Sequence, residues 1–291
     1  MRTRQAGRKK CVTHPRTPPM PASCGFEDAR LLAGDLLITL NCHCVPGSWN
    51  PSGRLTAIAE WIRRRTASRR SAWVALQEVF LPEHRDLLAA ALPHMWVSPI
   101  LNQQQAARAN AVPSVVPPFV RVGSTCVPGG VVVCSVQPPV GDAVSTTFRA
   151  SSQLDGMSLK GAVVVPLRKD LWLLATHMQS LYFDWNRARV EQVRDIARLV
   201  DRAVPTDATV LYAGDWNKID GDVLASQLGP GVVALRCRGD CPTFGRHQVD
   251  HILVRGATTR CTTQMATDVV VDGVSGLTDH RALVCEWATA D

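Results

Sequence analysis

Residues 210–217 read Val210-Leu211-Tyr212-Ala213-Gly214-Asp215-Trp216-Asn217: a short apolar run that leads directly into a carboxylate and, two residues on, an amide. The run Val210 to Tyr212 predicts a buried strand. The same construction recurs outward from it in both directions. Asp35 to Cys44 predicts a strand that carries Asn41 after Ile38-Thr39-Leu40, and Ala72 to Val79 a strand in which Glu78 follows Val74-Ala75-Leu76-Gln77. Leu171 to His177 runs through Leu173-Leu174-Ala175-Thr176 into His177. Asp250 and His251 open the strand Ile252-Leu253-Val254, and Asp279 and His280 stand before Ala282-Leu283-Val284 in a strand ending at Trp287. Reactive side chains collect at such ends, because strands fix positions and the adjoining loops admit substrate.

Helices separate the early strands. Pro51 to Thr66 predicts one, after a turn, and Asp184 to about Ala203 the clearest, with Val190, Val193, Ile196, Ala197 and Val200 at helical spacing. Further strands are predicted at Gly130 to Val136, Val144 to Arg149 and Ser158 to Leu167, so the class is α/β with two sheets in one domain. Residues 99–128, with a Gln/Ala run and then the apolar, proline-rich stretch 112–119, carry no predicted element. Residues 1–24 hold six basic residues, four prolines and no acid, which predicts a flexible tail preceding a domain over 25–291. That tail accounts for all but +1 of the net +7, so the body is nearly neutral, unlike a domain that binds mainly by neutralising phosphates. No apolar stretch is long enough to span a bilayer and no secretory signal is read near the start, which predicts a soluble or peripheral protein of unassigned compartment.

Ten cysteines are scattered without the paired spacing of a zinc site, and Cys134 and Cys285 sit in apolar runs, so buried thiols are expected. Cys42 and Cys44 are expected to extend the first strand, while Cys237 and Cys241 could close a small disulfide loop in an oxidising compartment.

Singly, each strand-end residue has an ordinary explanation as a turn former, a solvated acid or a packed histidine. Together they supply oxygen ligands for a hard cation and histidines that move protons near neutral pH, the equipment of metal-assisted phosphoric-ester hydrolysis. The ordered series Thr39-Leu40-Asn41, Leu76-Gln77-Glu78-Val79, Thr176-His177-Met178-Gln179, Gly214-Asp215-Trp216-Asn217, Val249-Asp250-His251-Ile252-Leu253 and Thr278-Asp279-His280 resembles the endonuclease/exonuclease/phosphatase superfamily from about residue 35 onward. The resemblance implies a four-layered α/β sandwich of two mixed β-sheets flanked by helices, and a phosphodiesterase or phosphatase using magnesium, with manganese as the substitute. It implies Glu78 as metal ligand, with Asn41 close to metal and phosphate and Asp279 near the metal. Asp215 and Asn217 would orient nucleophile and phosphate. His280 would be the base on water with Asp250 fixing its tautomer, and His177 would stabilise the phosphorane charge or assist the leaving oxygen.

Within the superfamily, Phe148-Arg149, Asp155-Gly156 and Lys160-Gly161 resemble neutral sphingomyelinases, as do Thr176 to Ser180, Arg189, Gln192 and Gly129 to Ser135. This implies that Lys160, with Asp155 acting on it, binds the phosphodiester of a choline-type phospholipid reached by peripheral membrane contact through the tail and residues 112–119. Read from the residues alone, Asp155-Gly156 is a turn and Lys160 a solvated strand residue. Nucleic acid is the alternative substrate, and a catalytically silent membrane- or protein-binding module the alternative class, which the complete residue set disfavours. Thr278 stands where the family usually has serine, Trp216 where it has an aliphatic residue, and Cys42-His43-Cys44 is unusual after Asn41; these differences bear on substrate shape.

Overall fold

A computed structural model describes residues 31–111, 127–150, 158–180, 186–217, 220–236, 242–256, 261–265 and 278–287. The tail, residues 112–119, Asp155, Cys237 with Cys241, and the first two residues of the predicted Asp184 helix lie outside them. In chain order the elements are β1 (Leu36–Asn41), α1 (Pro51–Thr66), β2 (Ala72–Gln77), α2 (Pro82–Ala91), β3 (Trp96–Val97), α3 (Gln103–Ala111), β4 (Val132–Ser135), β5 (Val144–Thr147), β6 (Gly161–Arg168) and β7 (Leu171–His177). They continue with α4 (Asn186–Ala203), β8 (Thr209–Asp215), α5 (Gly221–Leu228), β9 (Val232–Ala234), β10 (Asp250–Arg255), β11 (Cys261–Met265) and β12 (Leu283–Trp287).

The strands form two six-stranded sheets, ordered β11-β12-β1-β2-β4-β3 and β5-β6-β7-β8-β10-β9. Both are mixed: β1 and β2, and β7 and β8, run parallel, whereas β12 against β1 and β10 against β8 run antiparallel. Side chains alternate between faces along each strand, and here both faces are covered. In β1, Ile38 and Leu40 pack with Leu55, Ile58 and Ile62 of α1, while Leu37 joins Trp73, Leu173, Leu211, Leu283 and Trp287 between the sheets. On the outer face of the second sheet, Val164, Leu174 and Tyr212 pack under Val193, Ile196 and Val200 of α4 and Leu224 of α5. The order helix, sheet, sheet, helix is the expected four-layered sandwich.

Helix α1 matches its predicted span: Pro51 opens it and the Asn50 side chain accepts from the Gly53 amide at 3.2 Å. The buried face of α4 includes polar Gln192 and Asp195 beside the predicted apolar stripe. Gln192 accepts from the Gln179 amide at 2.9 Å and donates to the Ala150 carbonyl at 2.7 Å, and Asp195 pairs with Arg149 at 2.7 Å, so α4 ties together the segments following β5 and β7. The span 99–128 contains α3, which has no counterpart in the sequence reading. The first two predicted strands end early. β1 stops at Asn41 and β2 at Gln77, because His43 and Glu78 take left-handed backbone angles, φ 49° and 61°. Cys42 and Cys44 therefore lie beyond the strand rather than in it. Among the described residues both are free and buried, as is Cys134, and Cys285 is buried as well.

Candidate active site

Parallel pairing brings the C-terminal ends of β1 and β2 to one edge of their sheet, and those of β7 and β8 to one edge of theirs. Along the phase that faces between the sheets, apolar residues give way to polar ones at that edge. Leu37 and Thr39 are followed by Asn41, Leu173 and Ala175 by His177, and Leu211 and Ala213 by Asp215, while Asp250 precedes Ile252 and lies opposite Asp215. The segment 278–280 ahead of β12 is delivered to the same place by the antiparallel pairing of β12 with β1. There the Thr278 hydroxyl donates to the Asn41 carbonyl at 2.7 Å and accepts from the His280 amide at 2.8 Å. Serine or threonine can make this clasp, so the change at Thr278 preserves its function in the fold.

Asn41 lies at the centre: its side-chain amide donates to Glu78 Oε1 at 3.0 Å and to Asp215 Oδ2 at 3.1 Å. On one side of Asp215, His280 Nε2 lies 3.7 Å from Oδ2, and its Nδ1 is 2.8 Å from Asp250 Oδ2. On the other side His177 Nε2 lies 3.6 Å from Asp215 Oδ2 and 3.2 Å from Lys160 Nζ. Lys160 is only 5% exposed and also donates to the Met178 carbonyl at 3.1 Å, which Asn217 Nδ2 shares at 3.0 Å. It is a buried member of the centre, not a solvated strand residue. The following Gly161 has to lack a side chain, since a Cβ there would sit 1.9 Å from the Thr146 carbonyl oxygen on β5. The Asn217 amide donates to Asp215 Oδ1 at 3.0 Å, and its left-handed φ of 52° turns the chain out of β8.

Burial, then repulsion from Asp250, raises the Asp215 carboxyl to about 7, against the opposing pull of His280, Asn41 and Lys160. Burial works against a charged His280, but the charge and hydrogen bond of Asp250, with Asp215 and Asp279, outweigh it and raise the imidazole to about 9. His177 moves the other way: burial first, then the charges of Lys160 and His280, hold it well below the ordinary histidine value, so it is neutral at pH 7. Glu78 Oε2 is buried without a hydrogen-bond partner, although Oε1 has Asn41. An orphaned carboxylate oxygen, an amide and a second carboxylate that burial alone leaves poorly ionised fit a hard divalent cation. Asp215, Asp250 and His280 also bring ligand atoms within 4.8 Å of one another. There, however, the short His280–Asp250 bond already uses Nδ1 and Oδ2, whereas Glu78 Oε2, beside Asn41 and Asp215, has no hydrogen-bond partner and is open to a cation.

Asp279 is placed at the rim, half exposed, with Oδ1 3.1 Å from His43 Nδ1. Asp155, expected to act on Lys160, lies outside the described residues. Trp216 turns away from the centre, fully buried in the layer under α4 and α5 with its indole donating to the His251 carbonyl at 3.2 Å. The expected influence of Trp216 on substrate shape is therefore not direct. Two residues escaped the sequence reading. The Thr243 hydroxyl accepts from the Val249 and Asp250 amides, both at 3.0 Å, and the Phe244 ring packs 4.9 Å from that of His280, inclined by 42°. Both lie in an irregular segment, where no periodicity marks them.

The profile of the Endonuclease/Exonuclease/phosphatase family matches residues 38–280. No curated protein matches the chain by sequence. Among solved structures, beta toxin from Staphylococcus aureus, in a doubly substituted form with bound magnesium ions, is similar with TM-score 0.66 and 18% identity, covering 86% of this chain and 98% of its own. Sphingomyelinase C from Streptomyces griseocarneus gives 0.65 and 19%, covering 87% and 99%. D. rerio TDP2 complexed with single strand DNA product gives 0.61 and 17%, covering 87% and 98%. At these identities the structural likeness speaks for the fold, and the profile, spanning the strand-end residues from β1 to His280, speaks for descent: the chain belongs to the endonuclease/exonuclease/phosphatase family, hydrolases that act on phosphoric ester bonds.

Proposed function

We propose that this protein is a magnesium-dependent phosphodiesterase that hydrolyses a choline-type phospholipid such as sphingomyelin by attack of water on phosphorus, releasing phosphocholine. The observation that carries the reading is the opposition of two devices across Asp215: the Asp250–His280 pair on one side and the Lys160–His177 pair on the other. Asp250 accepts the Nδ1 proton of His280; raised to about 9, the imidazole holds a second proton on Nε2 at neutral pH, and a cation that offset the Asp215 charge would lower it and free Nε2 to take a proton from water. Positioned acid-base help of this kind contributes about 10²–10⁴ in rate. Lys160 offers a compact charge to a non-bridging phosphate oxygen, and neutral His177 stands where charge develops on the phosphorane or the leaving oxygen. Asp215 and Asn217 orient the nucleophile and the phosphate. Held by Glu78, Asn41 and Asp215, with Asp279 near it at the rim, a magnesium ion would polarise a phosphoryl oxygen and offset its charge.

Support for a lipid comes from the nearly neutral body, from the buried Lys160 at the entry to β6, and from the sphingomyelinase C among the similar structures. Access would be peripheral: among the described residues no helix is long and apolar enough to cross a membrane. One observation favours a nuclease instead. Exposed Arg246 and Arg281 flank Phe244 and His280, and a similar structure holds a single-stranded DNA product. Parallel turnover measurements on sphingomyelin, lysophospholipid, double-stranded DNA and abasic DNA, each with magnesium and with EDTA, test the proposal. Magnesium-dependent release of phosphocholine is the expected result, and DNA cleavage with inert lipids would overturn it.

A further inference from the structure

The loop between β1 and α1 is joined to the catalytic centre at one end and presents an apolar tip to solvent at the other. Trp49 is 79% exposed, the most exposed large apolar side chain among the described residues, and Val45 in the same loop is 41% exposed. Residues 44–53 carry no charged side chain. The loop is held in place rather than hanging from its ends. The guanidinium of Arg54, 7% exposed, donates to the His43 carbonyl and, at 3.1 Å, to the Trp49 carbonyl, and the Ser48 amide closes a turn onto the Val45 carbonyl at 2.9 Å. His43 in turn donates its amide to Asn41 Oδ1 at 3.0 Å and pairs with Asp279 at 3.1 Å. A single hydrogen-bonded path therefore runs from Trp49 through Arg54 and His43 to Asn41 and Asp279.

From this geometry we infer that Trp49 and Val45 form a docking tip for the surface of a phosphocholine-lipid bilayer, seating the mouth of the site at the headgroup level. The inference rests on the lipid reading above. An exposed indole on a fixed backbone loses little conformational freedom on docking, and an amphipathic ring is suited to the boundary between headgroup and acyl chain. The absence of charge across residues 44–53 matches a zwitterionic leaflet, which offers an uncharged loop no electrostatic obstacle, whereas an anionic polymer would call for basic side chains at the tip. Substrate reaching the site from such a surface would enter past the His43–Asp279 pair.

The test uses the full chain in EDTA, so that vesicles are not consumed. Cosedimentation with sphingomyelin/phosphatidylcholine vesicles should weaken about tenfold or more in Trp49→Ala, and less in Trp49→Phe, which keeps an aromatic ring. Quenching of tryptophan emission by brominated phosphatidylcholine should be present in wild type and reduced in Trp49→Phe. Magnesium-dependent turnover of a soluble chromogenic phosphodiester should be unchanged in both variants, showing an intact centre. Vesicle binding and quenching unaffected by either substitution would overturn the inference, as would a loss of single-stranded DNA retention with vesicle binding intact. The substrate reading fails separately. Hydrolysis of sphingomyelin in detergent micelles with unchanged vesicle binding sinks only the docking tip, and Trp49-dependent vesicle binding without turnover of any phospholipid sinks only the substrate.

Discussion

Replacing Asp250 by asparagine is the sharpest test of the acid-base assignment, because the structure separates its chemical effect from its structural one. The side chain is fully buried and its backbone amide is anchored by the Thr243 hydroxyl at 3.0 Å, so an isosteric amide has to occupy the same place. It then faces His280 Nδ1 at about the present 2.8 Å in one of two ways. Turned with its oxygen inward, it keeps the tautomer but exchanges a charge-assisted hydrogen bond for a neutral one of roughly half the strength. Turned with its nitrogen inward, it forces Nδ1 to accept and puts the proton on Nε2, the atom that has to take one from water. The second orientation abolishes the base and the first weakens it, so kcat should fall by about 10²–10⁴, equivalent to about 3–5 kcal/mol of transition-state stabilisation. The substitution also removes one of two mutually repelling buried carboxylates, so ionisation of Asp215 becomes easier and cation binding should not suffer. Steady-state kinetics on a soluble phosphodiester across a magnesium titration, with thermal melts of both proteins, provides the assay. A kcat within threefold of wild type at an unchanged melting temperature would refute the role of the pair.

Glu78→Gln, which weakens the ligand whose Oε2 is otherwise orphaned, should raise the magnesium concentration needed for half-maximal activity by at least tenfold without unfolding the chain; full activity in excess EDTA would remove the cation from the mechanism. Lys160→Ala should lower turnover of the true substrate at least tenfold, about 1.4 kcal/mol, with little change in melting temperature, and an inert substitution would exclude the ammonium from phosphate binding. Burial raises the thiols of Cys44 and Cys134 to about 12 and that of Cys42 well above its usual value, so at pH 8 only about one in 10⁴ of the first two is thiolate. Mass mapping should find all three unalkylated in the native protein and modified only after denaturation. Far from the site, Arg168 makes a two-pronged pair with buried Asp35 at 2.9 and 2.8 Å, so Arg168→Ala should destabilise the fold by about 3 kcal/mol in denaturant titrations, and the double change with Asp35→Asn should recover part of it.

What was legible in the sequence was whatever one strand or helix decides for itself. Leu171 to His177 and Pro51 to Thr66 match their observed bounds, because a largely buried strand and a proline-opened helix write their limits into local composition. The polar residues of the centre were visible for the same reason: Asn41, His177 and Asp215 each continue the inward phase of an apolar strand, and a polar group there has to have a purpose other than packing. What required the structure is whatever two distant segments decide together. Thr243 and Phe244 matter only because β10 and the turn before β12 meet them, and Trp216 looked like a neighbour of substrate until the alternation of β8 placed it under α4. The two overextended strands carry the most information. Hydrophobic continuity argues for running β1 through Cys44 and β2 through Val79, yet the backbone turns left-handed at His43 and Glu78, as it does at Asn217 after β8. A left-handed non-glycine residue costs about 1–3 kcal/mol. Each of these three lies within two residues of Asn41, Gln77 or Asp215, and the turned Glu78 has its Oε1 on the Asn41 amide at 3.0 Å. The strain falls where the strands stop being scaffold and begin to be site, so a strand pattern that outruns its strand marks the residues to examine for chemistry.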